Sequence, residues 1–155
     1  MTAANPSGMS NFRLPVDRLA PHIMQAMEAF DAAADKVSLD QRLLELVRTR
    51  ASQINACAFC VNAHTQAAAE AGATPKQLAT LMTWREAPFF SERERAALLL
   101  TEAVTLMSQA AVTDEVWAEV GAHFTETEQA ELLWSIAVIN VWNRIAGTAH
   151  PWPVA

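Results

Sequence analysis

The stretch "SLDQRLLELVRTRASQINACAFCVNAH", residues 38–64, decides the fold class of this chain. Its apolar residues Leu43, Leu44, Val47, Ala51 and Ile54 recur at helical spacing, and nothing in it alternates at the period of two that marks a strand. Ser38 and Gln41 stand at the spacing of a capping box, in which each side chain satisfies a backbone group that the first helical turn leaves unpaired. A following helix is expected to begin around Asn55 to Cys57 and to end at Gly72, with a break near "QINA" (53–56). The stretch therefore reads as two helices folded back on each other.

Helical signals extend in both directions. Pro21 suits the first turn of a helix over 21–35. Thr74 with Pro75 starts a short one that runs to Trp84. "SERE" (Ser91, Glu94) and "TETE" (Thr125, Glu128) are further capping boxes, and Thr113 is expected to cap a helix over 114–124. The predicted architecture is all-α: one domain of about seven helices over residues 16–147. An extended lead-in over 1–15, with Pro6 and Pro15, precedes it, and a tail over 148–155 follows that Pro151 and Pro153 bar from helix. The last helix, "QAELLWSIAVINVWNRIA" (129–146), is apolar around much of its circumference, so it must be covered on more than one face. It is either a central helix or a subunit interface.

Composition narrows the functions available. A chain of 155 residues fits a single domain with a real core. A net charge of −6 offers no footprint for nucleic acid or an anionic membrane, and no apolar run is long enough to span one. "MTAANPSGMSNFRLP" lacks the basic-then-apolar order of a secretory signal, so the expected location is the cytoplasm. Cytosolic thiols stay reduced, and a bridge between cysteines this close would staple little, so a stabilising disulfide is a poor reading of Cys57 and Cys60.

Cys57, Cys60 and His64 stand at i, i+3 and i+7 and share one helical face. Cys57 lies in the first turn, where unpaired N–H groups and the helix dipole favour a thiolate over a free thiol of pKa about 8.5. The second thiol is placed to close a disulfide, and His64 to accept or return a proton. A βαβ context is absent, which excludes thioredoxin itself. Zinc would need a fourth ligand, and His22, His123 and His150 are scattered, so no metal is expected. Inert burial of both cysteines is the bland alternative.

Glu45, flanked by Leu44 and Leu46, is costly on this helix unless paired. Folding the hairpin puts Glu45 and His64 at roughly 15 and 12 Å from the bend along their arms, close enough to meet. Such a contact would orient the ring and raise its basicity. The alternative is a surface glutamate paired with Arg48 or Arg42. Trp84, Trp117, Trp134 and Trp142 read as core or interface, and Asn140, Asn143 and Arg144 as buried hydrogen-bonding groups, with subunit contact open to them. Trp152, between prolines, is expected to dock the tail on a neighbouring subunit.

The stretch "ELVRTRASQINACAFCVNAH" (45–64) resembles the signature of the AhpD-like alkylhydroperoxidases in the carboxymuconolactone decarboxylase superfamily. That signature has a glutamate twelve residues before Cys-x-x-Cys and a histidine four residues after the second cysteine; Glu45, Cys57, Cys60 and His64 match it. The likeness runs on through "GATPKQLATLMTWREAPFFSERERAALLLTEAVT" and "INVWNR", over roughly residues 12 to 147. It implies an all-helical homotrimer or homohexamer that reduces organic hydroperoxides without a bound cofactor. Cys60 would attack the peroxide, Cys57 would resolve the sulfenic acid, and Glu45 and His64 would relay protons. A dithiol of dihydrolipoyl type or a thioredoxin-like protein would restore the thiols. The helix-start argument instead favours Cys57 as the more acidic thiol. Phe59 stands where peroxidase members carry a further histidine, which implies slower peroxide turnover with disulfide exchange intact. The rival readings are a carboxymuconolactone decarboxylase-type lyase, whose chemistry needs no thiol pair, and a non-enzymatic redox sensor or zinc-clipped scaffold.

Overall fold

A computed structural model describes residues 12–154, and among these residues no strand forms. The chain runs through α1 (Val16–Leu19), α2 (Pro21–Ala34), α3 (Gln41–Ile54), α4 (Ala58–Glu70) and α5 (Pro75–Thr80), the last continued by a 3₁₀ turn over Leu81–Thr83. Then follow α6 (Glu92–Thr105), α7 (Asp114–Gly121) and α8 (Glu126–Ala149). The all-α single domain read from the sequence is the fold observed. The short α1 is an addition, and residues 1–11 of the expected lead-in lie outside the described residues.

The break near "QINA" falls where the apolar pattern stops. Asn55 and Ala56 turn the chain, with Ala56 at φ 53°, a left-handed conformation that a residue with a Cβ rarely adopts. The turn is held from the side: the Asn55 amide donates to Asn140 Oδ1 at 3.0 Å and to Asn143 Oδ1 at 2.9 Å, both on α8. Asn143 in turn donates to Ser52 Oγ at 2.9 Å. The polar cluster expected around Asn140 and Asn143 thus serves the hairpin of its own chain.

The hairpin packs on α8 and α6. One core cluster joins Leu43, Leu44 and Val47 of α3 with Leu100 of α6 and Leu132 and Ile136 of α8; a second gathers Leu46, Leu81, Trp84 and Leu98. Helix α8 contacts α2, α3, α4, α6 and α7, which makes it the central helix. Its outer face still exposes Trp134, Val141 and Ile145.

Two capping boxes form as read, Ser91 with Glu94 and Thr125 with Glu128. The Ser38–Gln41 box does not. Asp40 is the N-cap of α3 and accepts from the Leu43 N–H at 3.1 Å, whereas Ser38 is drawn to Glu131 of α8, its hydroxyl donating at 2.7 Å. A carboxylate next to the helix start outcompetes a hydroxyl two residues further out. Thr113 stands at the N-cap of α7 without a side-chain hydrogen bond to the helix. Among the described residues no helix is long and apolar enough to cross a membrane.

Candidate redox site

Cys57 is the N-cap of α4, one residue ahead of the first turn in which it was expected, and its backbone is extended. An N-cap side chain points back at the N–H groups of the first turn. Accordingly the Cys60 N–H donates to Cys57 Sγ at 3.3 Å, and Cys57 and Cys60 are joined as a disulfide. Both are buried, against Ala146 of α8, Phe59 and Trp152. Both cysteines are buried, as the bland alternative had it, and their two sulfurs occupy one bonding site.

About one turn beyond Cys60, His64 meets the other arm of the hairpin. Its Nδ1 lies 2.8 Å from Glu45 Oε2. Glu45 is 4% exposed, and its second oxygen accepts from Arg48 at 2.6 Å. Burial alone would push the Glu45 carboxyl up. The hydrogen bond and charge of His64, and those of Arg48, outweigh it and hold the group below the usual carboxylate range. Arg48 shows the converse: burial favours the neutral form, but Glu45 and Asp35 hold the guanidinium charged. With Glu45 ionised, its hydrogen bond keeps a proton on Nδ1 of His64 and leaves Nε2 as the base. Of the alternatives read for Glu45, the surface pair fails and the Arg48 pair coexists with the histidine contact; Arg42 goes to Glu94 at 3.2 Å.

A pocket of about 390 Å³ opens beside this arrangement. Cys60 and His64 line it, together with the aromatic Phe59, Trp142 and Trp152 and the charged Asp31, Asp35 and Arg48. Cys57 is the more deeply buried of the two cysteines, at 1% exposed against 4% for Cys60. A molecule entering the pocket reaches Cys60.

All four residues singled out in the sequence thus come together. Missed were the walls of the pocket. Trp142, read as core or interface, lines it. Trp152, expected on a neighbouring subunit, packs on its own chain, 5.3 Å from the Phe59 ring and 6.1 Å from Trp142. Asp35 carried no signal, because its partner Arg48 lies thirteen residues on and in the next helix. His123 pairs with Glu119 and His150 caps α8 through Gly147 O, so neither joins the site. Among the described residues no three His, Cys, Asp or Glu side chains are grouped to hold a metal ion.

An all-helical domain with Cys-x-x-Cys at a helix start and a buried Glu–His pair behind it defines an AhpD-like protein. The model of the carboxymuconolactone decarboxylase family matches residues 21–103, and the chain belongs to that family. It is similar to the uncharacterized protein YdfG of Bacillus subtilis (strain 168), at 36% identity over 134 residues, 86% of this chain and 91% of that one. It also resembles the solved structure of ATU0492 from Agrobacterium tumefaciens, a protein of unknown function proposed as an antioxidant-defence AhpD. That likeness has a TM-score of 0.89 at 32% identity and covers 94% of this chain and 100% of the other. The debrominase Bmp8, solved with 2,3,4-tribromopyrrole, shares the fold with a TM-score of 0.78 at 18% identity, over 88% of this chain and 73% of its own.

Proposed function

We propose that the protein is a thiol-dependent hydroperoxide reductase and disulfide oxidoreductase working through Cys60, Cys57, His64 and Glu45. The observation that carries this reading is the run from a pocket-lining Cys60 and His64 to a buried, ionised Glu45, with a second thiol at bonding distance. In the reduced protein His64 takes the Cys60 proton. The thiolate attacks the terminal oxygen of the hydroperoxide; the S–O bond forms as the O–O bond breaks, and the departing alkoxide recovers the proton from His64 as an alcohol. The Cys57 thiol then attacks the Cys60 sulfenic acid, giving the disulfide and one water. An external dithiol supplies two electrons and two protons to restore both thiols, and is itself oxidised to a disulfide. No bound cofactor takes part.

The acidity argument from the helix start and the roles implied by the family are reconciled if access decides. The N-cap position favours Cys57 as a thiolate, but Cys60 lines the pocket beside the base. Phe59 adds no imidazole, so the proposed relay runs through His64 and Glu45 without a further histidine. The apolar outer face of α8, with Trp134, Val141 and Ile145, supports assembly as a homotrimer or homohexamer.

The test is mass spectrometry of the reduced protein after one equivalent of cumene hydroperoxide, with free thiols alkylated at intervals. Rapid formation of the Cys57–Cys60 disulfide, slowed in Glu45→Gln and His64→Ala, is expected. Thiols that stay alkylatable long after peroxide addition would sink the reading and favour the lyase.

A further inference from the structure

Trp152 completes the pocket from an unusual direction. Helix α8 stops at Ala149, and His150 takes a left-handed turn, φ 46°, with its ring bonded back to Gly147 O at 2.8 Å. That turn sends the tail across the disulfide, where Trp152 packs on Phe59 of α4 and Trp142 of α8. Three aromatic rings therefore wall one side of the pocket, a surface that binds the flat or bulky apolar body of a ligand.

The charged lining residues offer an anion little. Arg48 is the one guanidinium among the described lining residues, its side chain is 8% exposed, and it is already held between Glu45 and Asp35. The remaining lining charge is carboxylate, Asp31 and Asp35. A carboxylate entering the pocket would face two acids, a guanidinium already paired twice and an imidazole already bonded to Glu45, and would lose its water with little compensation.

We infer that this pocket selects uncharged apolar ligands, aromatic ones above all, against carboxylate-bearing ones, and that Trp152 and Asp35 set that selection. The inference rests on the proposed reaction only in calling the ligand a hydroperoxide. Free fatty-acid hydroperoxides would then be poor substrates, and neutral aryl-alkyl hydroperoxides good ones.

The experiment separates binding from chemistry by using the disulfide form of the full chain, which cannot attack a peroxide. Ligand-observed NMR titrations compare 2-phenylpropan-2-ol, the alcohol left by cumene hydroperoxide, with its para-carboxylate. The neutral alcohol is expected to bind about tenfold more tightly. Trp152→Ala should weaken it about fivefold, while Trp152→Phe, which keeps a ring on the wall, should stay within about twofold. Asp35→Asn frees one side of Arg48 and should narrow the preference or reverse it. Equal affinity for the two ligands, or a Trp152→Ala protein that is folded by circular dichroism and binds unchanged, would overturn the inference. If this binding pattern holds but cumene hydroperoxide fails to oxidise the reduced protein, selectivity stands and the proposed reaction falls.

Discussion

Glu45 and Glu102 are each buried against arginine, and only Glu45 belongs to the candidate site. Glu102 on α6 accepts from Arg50 Nε at 2.8 Å, from the Trp84 indole at 2.9 Å and from Arg85. Burial pushes its carboxyl up, but the hydrogen bonds from Trp84, Arg85 and Arg50 hold it below the usual range. Glu45 on α3 is held down in the same manner by His64 and Arg48. The difference lies in the donors. Guanidinium and indole groups do not give up a proton near neutral pH, so Glu102 is a fixed clamp between α3, α6 and the turn after α5. An imidazole is a proton carrier by chemistry, and His64 opens on a pocket that Cys60 also lines. The proposed reaction makes Glu45 part of a relay because one of its partners is an imidazole that lines a cavity.

The two are separated most strongly by removing each in turn. Glu102→Ala strands the Arg50 and Trp84 donors and should cost about 3 kcal/mol, the lower end for a broken buried pair because the Arg85 side chain is half exposed. Denaturant melts would show the loss, while peroxide-driven disulfide formation in the folded fraction keeps its rate. Glu45→Gln should do the reverse. Arg48 retains Asp35, so the melt moves less, but timed alkylation should find disulfide formation slowed about 100-fold. An Asp35→Asn control tells whether disturbing Arg48 alone produces that slowing. If Glu102→Ala slowed the thiols as much as Glu45→Gln does, the division between clamp and relay would fail.

Acid sharpens the same contrast at smaller scale. Both carboxyls titrate lower in the folded protein than in the unfolded chain, so below about pH 4.5 the unfolded state binds more protons and stability falls with pH. The contribution is complete above the unfolded value and is lost as pH drops through the folded one. Glu45→Gln deletes one of the two contributions. The slope of stability against pH in that window should become shallower by up to about 1 kcal/mol per pH unit. Urea melts at stepped pH read it directly. An unchanged slope would mean that Glu45 is not held ionised by its partners.

How much of this could be read beforehand follows the range of the interactions. Helices α2, α6 and α8 announce themselves through Pro21, "SERE" and "TETE", because caps act within one turn. The Glu45–His64 contact was legible because a hairpin reduces it to counting residues either side of a bend. The Arg48–Asp35 pair and the aromatic wall of Phe59, Trp142 and Trp152 were not. They join elements whose relative placement depends on how α2, α8 and the tail pack, and no periodicity encodes that. The path of the tail was hidden for a related reason: Pro151 and Pro153 say that a helix ends, but the left-handed His150 decides where the chain goes next. Ser38 erred more locally, since a box pattern cannot reveal that Glu131 competes for its hydroxyl.

The smallest expected effect tests that local error, on the helix that holds both clusters. Helix α3 carries Glu45 and Arg50, so weakening its first turn should lower both equally. Asp40→Ala removes the side chain that accepts from the Leu43 N–H and should cost about 1 kcal/mol. Ser38→Ala removes only the exposed hydroxyl bond to Glu131, keeps the one from its backbone N–H, and should cost about 0.5 kcal/mol or less. Neither should change the rate of disulfide formation in the folded protein, because the cap lies more than a turn from Glu45 and touches none of its partners. Paired urea melts decide the order. A larger loss for Ser38→Ala would restore the capping box over Asp40, and a rate change in either variant would show that the relay feels the helix end.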